Sequence, residues 1–297
     1  MMKDSIFISN NSSYSNGQDP KWRDLRLTRW IVQYLRHAPI SLVIREMNRL
    51  LALELIHMDD LKHPRTPVLD VGCGDGFFCT LYRNDLQEVY GVDISAKEIC
   101  QAEKRIKAAL TDVSMEVPFQ PILFHEIIGN CSLEHIRNID KAIINLRRCS
   151  ATDARLIMFV PAPDWAFQGI IQRFLLRFSP RLAMMVSGAF NGVFQHWHLY
   201  RIPVWQSILE TNGWELTQVY GLGSSRSEFL YRLFTPFSIP GFIFKTMFGI
   251  YPNRILQWIP ELFLLPILKI LKWALQNPVV SSDDPKVYEF VIVAEPK

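Results

Sequence analysis

Residues 67–78 read Pro-Val-Leu-Asp-Val-Gly-Cys-Gly-Asp-Gly-Phe-Phe, and the fold follows from them. Val68, Leu69 and Val71 form a short apolar run suited to a buried strand. Gly72, Gly74 and Gly76 then give a turn almost free of side chains, which lets a ligand approach the backbone closely. The turn leads into a predicted helix over 75–86, whose first N–H groups can bind polar atoms. This is a nucleotide-type pocket. The spacing is Gly-x-Gly-x-Gly; the dinucleotide pattern Gly-x-Gly-x-x-Gly is broken by Phe77, which disfavours a nicotinamide dehydrogenase.

Downstream, residues 88–92 form a second apolar run ending at Asp93, and Ser95 is placed to cap a helix reaching about Arg105. Asp93 lies 21 positions after Gly72, a spacing that suits a carboxylate accepting from two ribose hydroxyls. A weaker third strand over 106–111 ends at Asp112, which could accept from an exocyclic amine. Residues 122–129 read as a fourth strand ending at Asn130, followed by the turn Ser132-Leu-Glu-His135 and a helix over 138–150. A fifth strand over 156–160 is closed by Pro161 and Pro163. A helix over 203–211 and strands over 214–220 and 287–294 complete an alternation that predicts a doubly wound, mainly parallel sheet. Upstream, helical periodicity over 22–61 is divided at Pro39. Residues 1–20, rich in Ser and Asn without an apolar stretch, are expected to be a disordered tail.

The net charge of +3 with no Lys/Arg tract gives no reason to expect a nucleic-acid partner. The five cysteines contain no Cys-x-x-Cys pair and read as reduced thiols of a cytoplasmic chain.

With these residues in place, the chain resembles the class I S-adenosylmethionine-dependent methyltransferases of the small-molecule group. Residues 68–76 match the first motif, Val-Tyr-Gly-Val-Asp at 89–93 the second, Asp112 with Val117-Pro-Phe119 the third, and Leu-Glu-His-Ile at 133–136 the fourth. The resemblance implies an α/β, Rossmann-like, seven-stranded, mostly parallel sheet and S-adenosylmethionine as cofactor. It assigns Gly72, Gly74 and Gly76 to the backbone passing the amino-acid and ribose parts. Asp70 would orient the methionine ammonium, Asp93 would hold the ribose, and Asp112 with Val113 would meet the adenine. Ile94 and Asn130 complete the cofactor-binding set. Related quinone O-methyltransferases resemble Glu-x-x-Glu-His at the fourth motif, where this chain has Cys131 for the first Glu, so no metal site is expected.

The implied organisation is a tail (1–20), a helical N-terminal cap (21–64), the cofactor-binding core (65–163), a lid insertion (164–200), a core continuation (201–223), a second helical insertion (224–285) and the final core strand (286–297). The first insertion carries Arg173, Arg177 and Arg181 with no acid after Asp164, among many large apolar residues. The second is rich in Phe, and its 258–276 stretch has a wide apolar face and a narrow polar stripe, interrupted by Pro266. Such faces suit a membrane interface, a greasy acceptor, or burial within a lid or homodimer. No run reaches the length of a membrane span.

Methyl transfer needs alignment of a nucleophile and, for many acceptors, one base. His135, beside the fourth strand's end, and His198, in Gln-His-Trp-His-Leu-Tyr at 195–200, are the candidate catalytic residues, because histidine titrates near neutral pH. His196 and His198, two apart, also suggest metal, with no third ligand evident. The expected activity is methylation of a hydrophobic small-molecule or lipid-linked acceptor, oxygen ahead of carbon or nitrogen, by a cytoplasmic, membrane-associated enzyme. The alternative is a non-catalytic binding or scaffold protein that keeps the cofactor pocket.

Overall fold

The structure, a computed structural model, describes residues 20–58, 64–82, 88–167, 170–284 and 287–297. The expected tail lies outside the described residues, apart from Pro20, which starts the first helix. Helices α1 (Pro20–Leu35) and α2 (Ile40–Ile56) form the N-terminal cap, separated at Pro39 as expected. Strand β1 (Val68–Val71), helix α3 (Phe77–Tyr82), β2 (Val89–Asp93), α4 (Ala96–Ala102) and β3 (Lys107–Leu110) make the first half of the sheet. Strand β4 (Phe124–Asn130), a 3-10 turn (Leu133–His135), α5 (Ile139–Arg148) and β5 (Ser150–Pro161) make the second. The first insertion contains α6 (Ile170–Phe178) and α7 (Pro180–Phe194). Helix α8 (Ile202–Thr211) and β6 (Trp214–Leu222) return to the core. The second insertion holds α9 (Ser225–Phe248), 3-10 turns at Pro252–Trp258 and Glu261–Leu264, and α10 (Leu265–Ala274). Strands β7 (Val279–Val280) and β8 (Glu289–Pro296) close the chain's path.

The sheet order is β3-β2-β1-β4-β5-β8-β6-β7. Strands β1 to β5 are parallel, and β8 slots antiparallel between β5 and β6. The α/β class stands, but the sheet has eight strands instead of seven, because the two-residue β7 pairs with the end of β6. One face is covered by α1, α2, α3, α4, α9 and α10, through residues such as Ile44, Met47, Cys79 and Leu271. The other is covered by α5 and α8, with Trp205 and Trp214 fully buried.

Two boundaries moved for visible reasons. Helix α3 starts at Phe77 because Gly76, at φ +72°, lies outside the helical range. Strand β5 begins at Ser150, before its apolar run, and a register irregularity against β4 between Phe124 and Glu126 accommodates the extra length. The 258–276 stretch is broken near Pro266 as expected: a 3-10 turn precedes it, and Pro266 sits in the first turn of α10, where its missing N–H costs nothing.

Candidate active site

The site is built at the carboxyl ends of β1, β2 and β4. Gly72, Gly74 and Gly76 all have positive φ, so the turn after β1 uses conformations that L side chains avoid. A Cβ on Gly72 would lie 2.4 Å from Cβ of Ser132, which shows how closely the exits of β1 and β4 approach. Gly74 is the opposite case: a Cβ there would meet nothing nearer than a Glu98 carboxylate oxygen at 4.0 Å, leaving its backbone open to a ligand. The turn is tied to β2, with Gly72 and Cys73 N–H both donating to Val92 O at 2.8 and 3.0 Å.

Asp93 accepts from Gly74 N–H through Oδ2 (2.9 Å) and from Ser95 N–H through Oδ1 (2.8 Å). Each oxygen keeps a further lone pair for an incoming hydroxyl. Ile94, beside it, is exposed. Asp70 is buried below the turn. Its Oδ2 accepts from the Cys79 thiol at 2.5 Å, and its Oδ1 has no partner among the described residues. Burial pushes its carboxyl up to about 7; the Cys79 bond opposes this, and Asp93 and Glu46 add to it. Asp112 turns back on the Ser114 N–H at 2.8 Å and borders a cavity of about 490 Å³ shared with Ser114, Arg137 and Tyr200. Val113 is buried, with its carbonyl fixed by Asn145 Nδ2 at 3.0 Å.

Asn130 points into a polar network of the cap. Its Oδ1 accepts from Arg49 (2.7 Å) and its Nδ2 donates to Glu46 (3.0 Å). Arg49 also grips both oxygens of buried Glu289 (2.6 and 3.0 Å) and reaches Cys131 Sγ (2.6 Å), while Arg45 reaches Glu289 (3.1 Å) and Cys131 (2.9 Å). A second tie joins the cap to the turn. His37, in the α1–α2 connection, contacts Asp75 at 3.0 Å and stacks on Phe77 with ring centroids 3.8 Å apart. Burial raises the Asp75 carboxyl, but His37, with Lys245 and Arg105, outweighs it and holds the group well below the usual range. Sequence reasoning missed these residues, although Arg45, Glu46 and Arg49 are charged positions of a largely apolar helix and Glu289 interrupts the apolar run over 287–294.

The two candidate bases have different surroundings. His198 is buried, with Nδ1 on Tyr200 Oη (3.0 Å) and Nε2 on Ile136 O (2.8 Å). Both ring nitrogens of His198 are therefore engaged by protein atoms, whereas His135 is more open. His135 is partly exposed, with Nδ1 on Gln195 O (3.3 Å) and Nε2 3.6 Å from Glu134. His196 lies against it, ring centroids 5.0 Å apart.

S-adenosylmethionine fits these residues. Gly74 offers open backbone, Asp93 has free lone pairs, and Asp70 holds an unpartnered buried oxygen that a cationic ligand would balance. The family comparison points the same way. A family described as methyltransferase domain matches residues 34–219. Among solved structures, the plantazolicin methyltransferase BpumL, in complex with a pentazolic desmethylPZN analog and SAH, is 12% identical, with 93% of this chain and 98% of that one covered and a TM-score of 0.50. A TehB-like SAM-dependent methyltransferase from Corynebacterium glutamicum is 13% identical over 81% of this chain and 86% of that one, with a TM-score of 0.43. No curated protein matches the sequence. The chain belongs to the methyltransferase-domain family, as a class I S-adenosylmethionine-dependent methyltransferase.

Proposed function

We propose that this enzyme methylates a hydrophobic small-molecule or lipid-linked acceptor at an anionic membrane surface on the cytoplasmic side, with oxygen as the favoured acceptor atom. The observation that carries the reading is the apolar surface of the two insertions: Phe178, Met185, Phe237, Ile255, Trp258 and Phe263 are each at least 67% exposed. Apolar surface on this scale marks an interaction site. Arg173, Arg177 and Arg181 accompany it, and residues 165–200 contain no acid, which complements anionic headgroups. No single described helix is long and apolar enough to cross a membrane; α9 with the turn after it passes that test only as a pair bent by 101°. Lying in the interface matches this geometry better than spanning.

The lobe is close to the cofactor turn. Lys245 of α9 pairs with Glu98 of α4 at 2.9 Å, and Glu98 faces the open side of Gly74. A Cβ on Gly241 of α9 would meet Pro39 of the cap at 2.9 Å. An acceptor held in the lobe is thereby near the donor. The bound cofactor supplies an electrophilic methyl group. The chain's part is to align the acceptor with that methyl group, beside the turn that carries partly exposed His135. The test incubates the enzyme with methyl-labelled cofactor and a hydrophobic extract. Label passing into the organic phase is expected; label confined to water-soluble products would overturn the reading.

A further inference from the structure

We propose that Glu134, His135 and His196 form a binding site for one divalent transition-metal ion such as Zn2+. One ligand atom from each residue lies within 4.8 Å of the other two. Glu134 is fully buried, yet neither of its oxygens has a hydrogen-bond partner among the described residues, and Nδ1 of His196 is buried and unpartnered as well. Unmatched polar atoms in such a place are costly, and a cation between them removes the cost. Glu134 and His135 are adjacent in the turn after β4, whereas His196 comes from the first insertion some sixty residues on, so the sequence does not show that the three meet.

The surroundings hold the ligands in place. Glu134 O accepts from the N–H groups of Trp197 (3.0 Å) and His198 (3.2 Å), which docks the segment carrying His196 onto the turn. Gln195 O sits 3.3 Å from His135 Nδ1 and so favours the tautomer with a proton there, leaving Nε2 as a lone pair towards Glu134. Trp165, Phe194 and the His135 ring surround the imidazole of His196. Two imidazoles and one carboxylate suit zinc, iron, cobalt or manganese better than magnesium or calcium, which prefer oxygen. Three protein ligands leave at least one position open to water or to an acceptor oxygen; this last use rests on the O-methylation reading. The ion would also fasten the lid to the end of β4.

The test uses untagged full-length protein, stripped with chelator, dialysed and titrated with Co2+ in the absence of cofactor. One Co2+ per chain with visible ligand-field bands, displaced by Zn2+, is expected. His196→Ala and Glu134→Gln each weaken binding by about tenfold or more, while His125→Ala, at the opposite end of β4, leaves it unchanged. If Glu134→Gln does not fold, His196→Ala decides alone. Absence of saturable binding by the wild-type chain below about 100 µM, or equal affinity in His196→Ala, overturns the site. Neither result touches the methyltransferase reading, because no methyl donor is present. Failure of Co2+ or Zn2+ to alter methylation of a hydroxylated acceptor would remove only the open position's proposed use.

Discussion

The Gly74 N–H donates to Oδ2 of Asp93 at 2.9 Å, so the carboxylate that ends β2 also holds the glycine turn in shape. Asp93→Ala removes that bond, the Ser95 bond and the acceptor for a ribose together. Calorimetry with the demethylated cofactor should show affinity reduced by roughly tenfold to a hundredfold, in line with the loss of charge-assisted hydrogen bonds. An unchanged Kd would show that Asp93 only shapes the turn.

Gly72→Ala and Gly188→Ala make a matched pair. At Gly72 a methyl group collides with Ser132 and φ is +72°, so a loss of about 1–3 kcal/mol is expected. Gly188, inside α7, has nothing within 4 Å, and alanine there gains about 0.5–1 kcal/mol of helix propensity. Thermal unfolding of the two variants should shift in opposite directions.

Asp70 makes stability depend on pH in a direction opposite to a salt-bridged acid. Its buried carboxyl titrates near 7 in the folded chain and at about 3.9 when unfolded. Between those values the folded state keeps a proton that the unfolded state has lost, so this group's contribution weakens as pH rises from about 4 to 7 and then levels. Asp70→Asn should flatten that part of the Tm profile in the cofactor-free protein. An identical slope in the variant would assign the dependence elsewhere.

Arg49 neutralises Glu289 and Glu46 inside the protein. Arg49→Ala leaves two buried carboxylates short of a partner and should cost about 3–5 kcal/mol in denaturant unfolding. Arg49→Met combined with Glu289→Gln should recover part of that loss, since the charges leave together. If the double variant is as unstable as the sum of the singles, the pair is not coupled.

Trp258 and Phe263 are largely exposed, at 87% and 71%. Replacing both with Ser should reduce sedimentation with anionic vesicles by about tenfold and leave cofactor affinity unchanged. Loss of a dimer in solution, with vesicle binding intact, would identify the surface as an interface between copies.

The cofactor half of the fold was legible because strand runs, glycines and strand-end carboxylates occur at short, regular spacings. Asp70, Gly72, Gly74, Gly76 and Asp93 lie together in the structure as that pattern required. Asn130 was placed at the right strand end, but its side chain faces α2, since its partners Glu46 and Arg49 lie about eighty residues upstream. The grouping of His196 with Glu134 was hidden for the same reason. A sequence shows His198 as a residue type but not that Tyr200 and Ile136 engage both its ring nitrogens.

Strand β8 carries Glu289 between β5 and β6, 240 residues after the Arg49 it neutralises. During synthesis, β1 to β5 can be made and aligned while the guanidinium groups of Arg45 and Arg49 still lack their carboxylate. The ion pairs by which the cap grips Glu289 can form only once β8 has been inserted. A nascent chain stalled before residue 289 should remain open to proteases at α2 even though most of its parallel sheet has emerged from the ribosome.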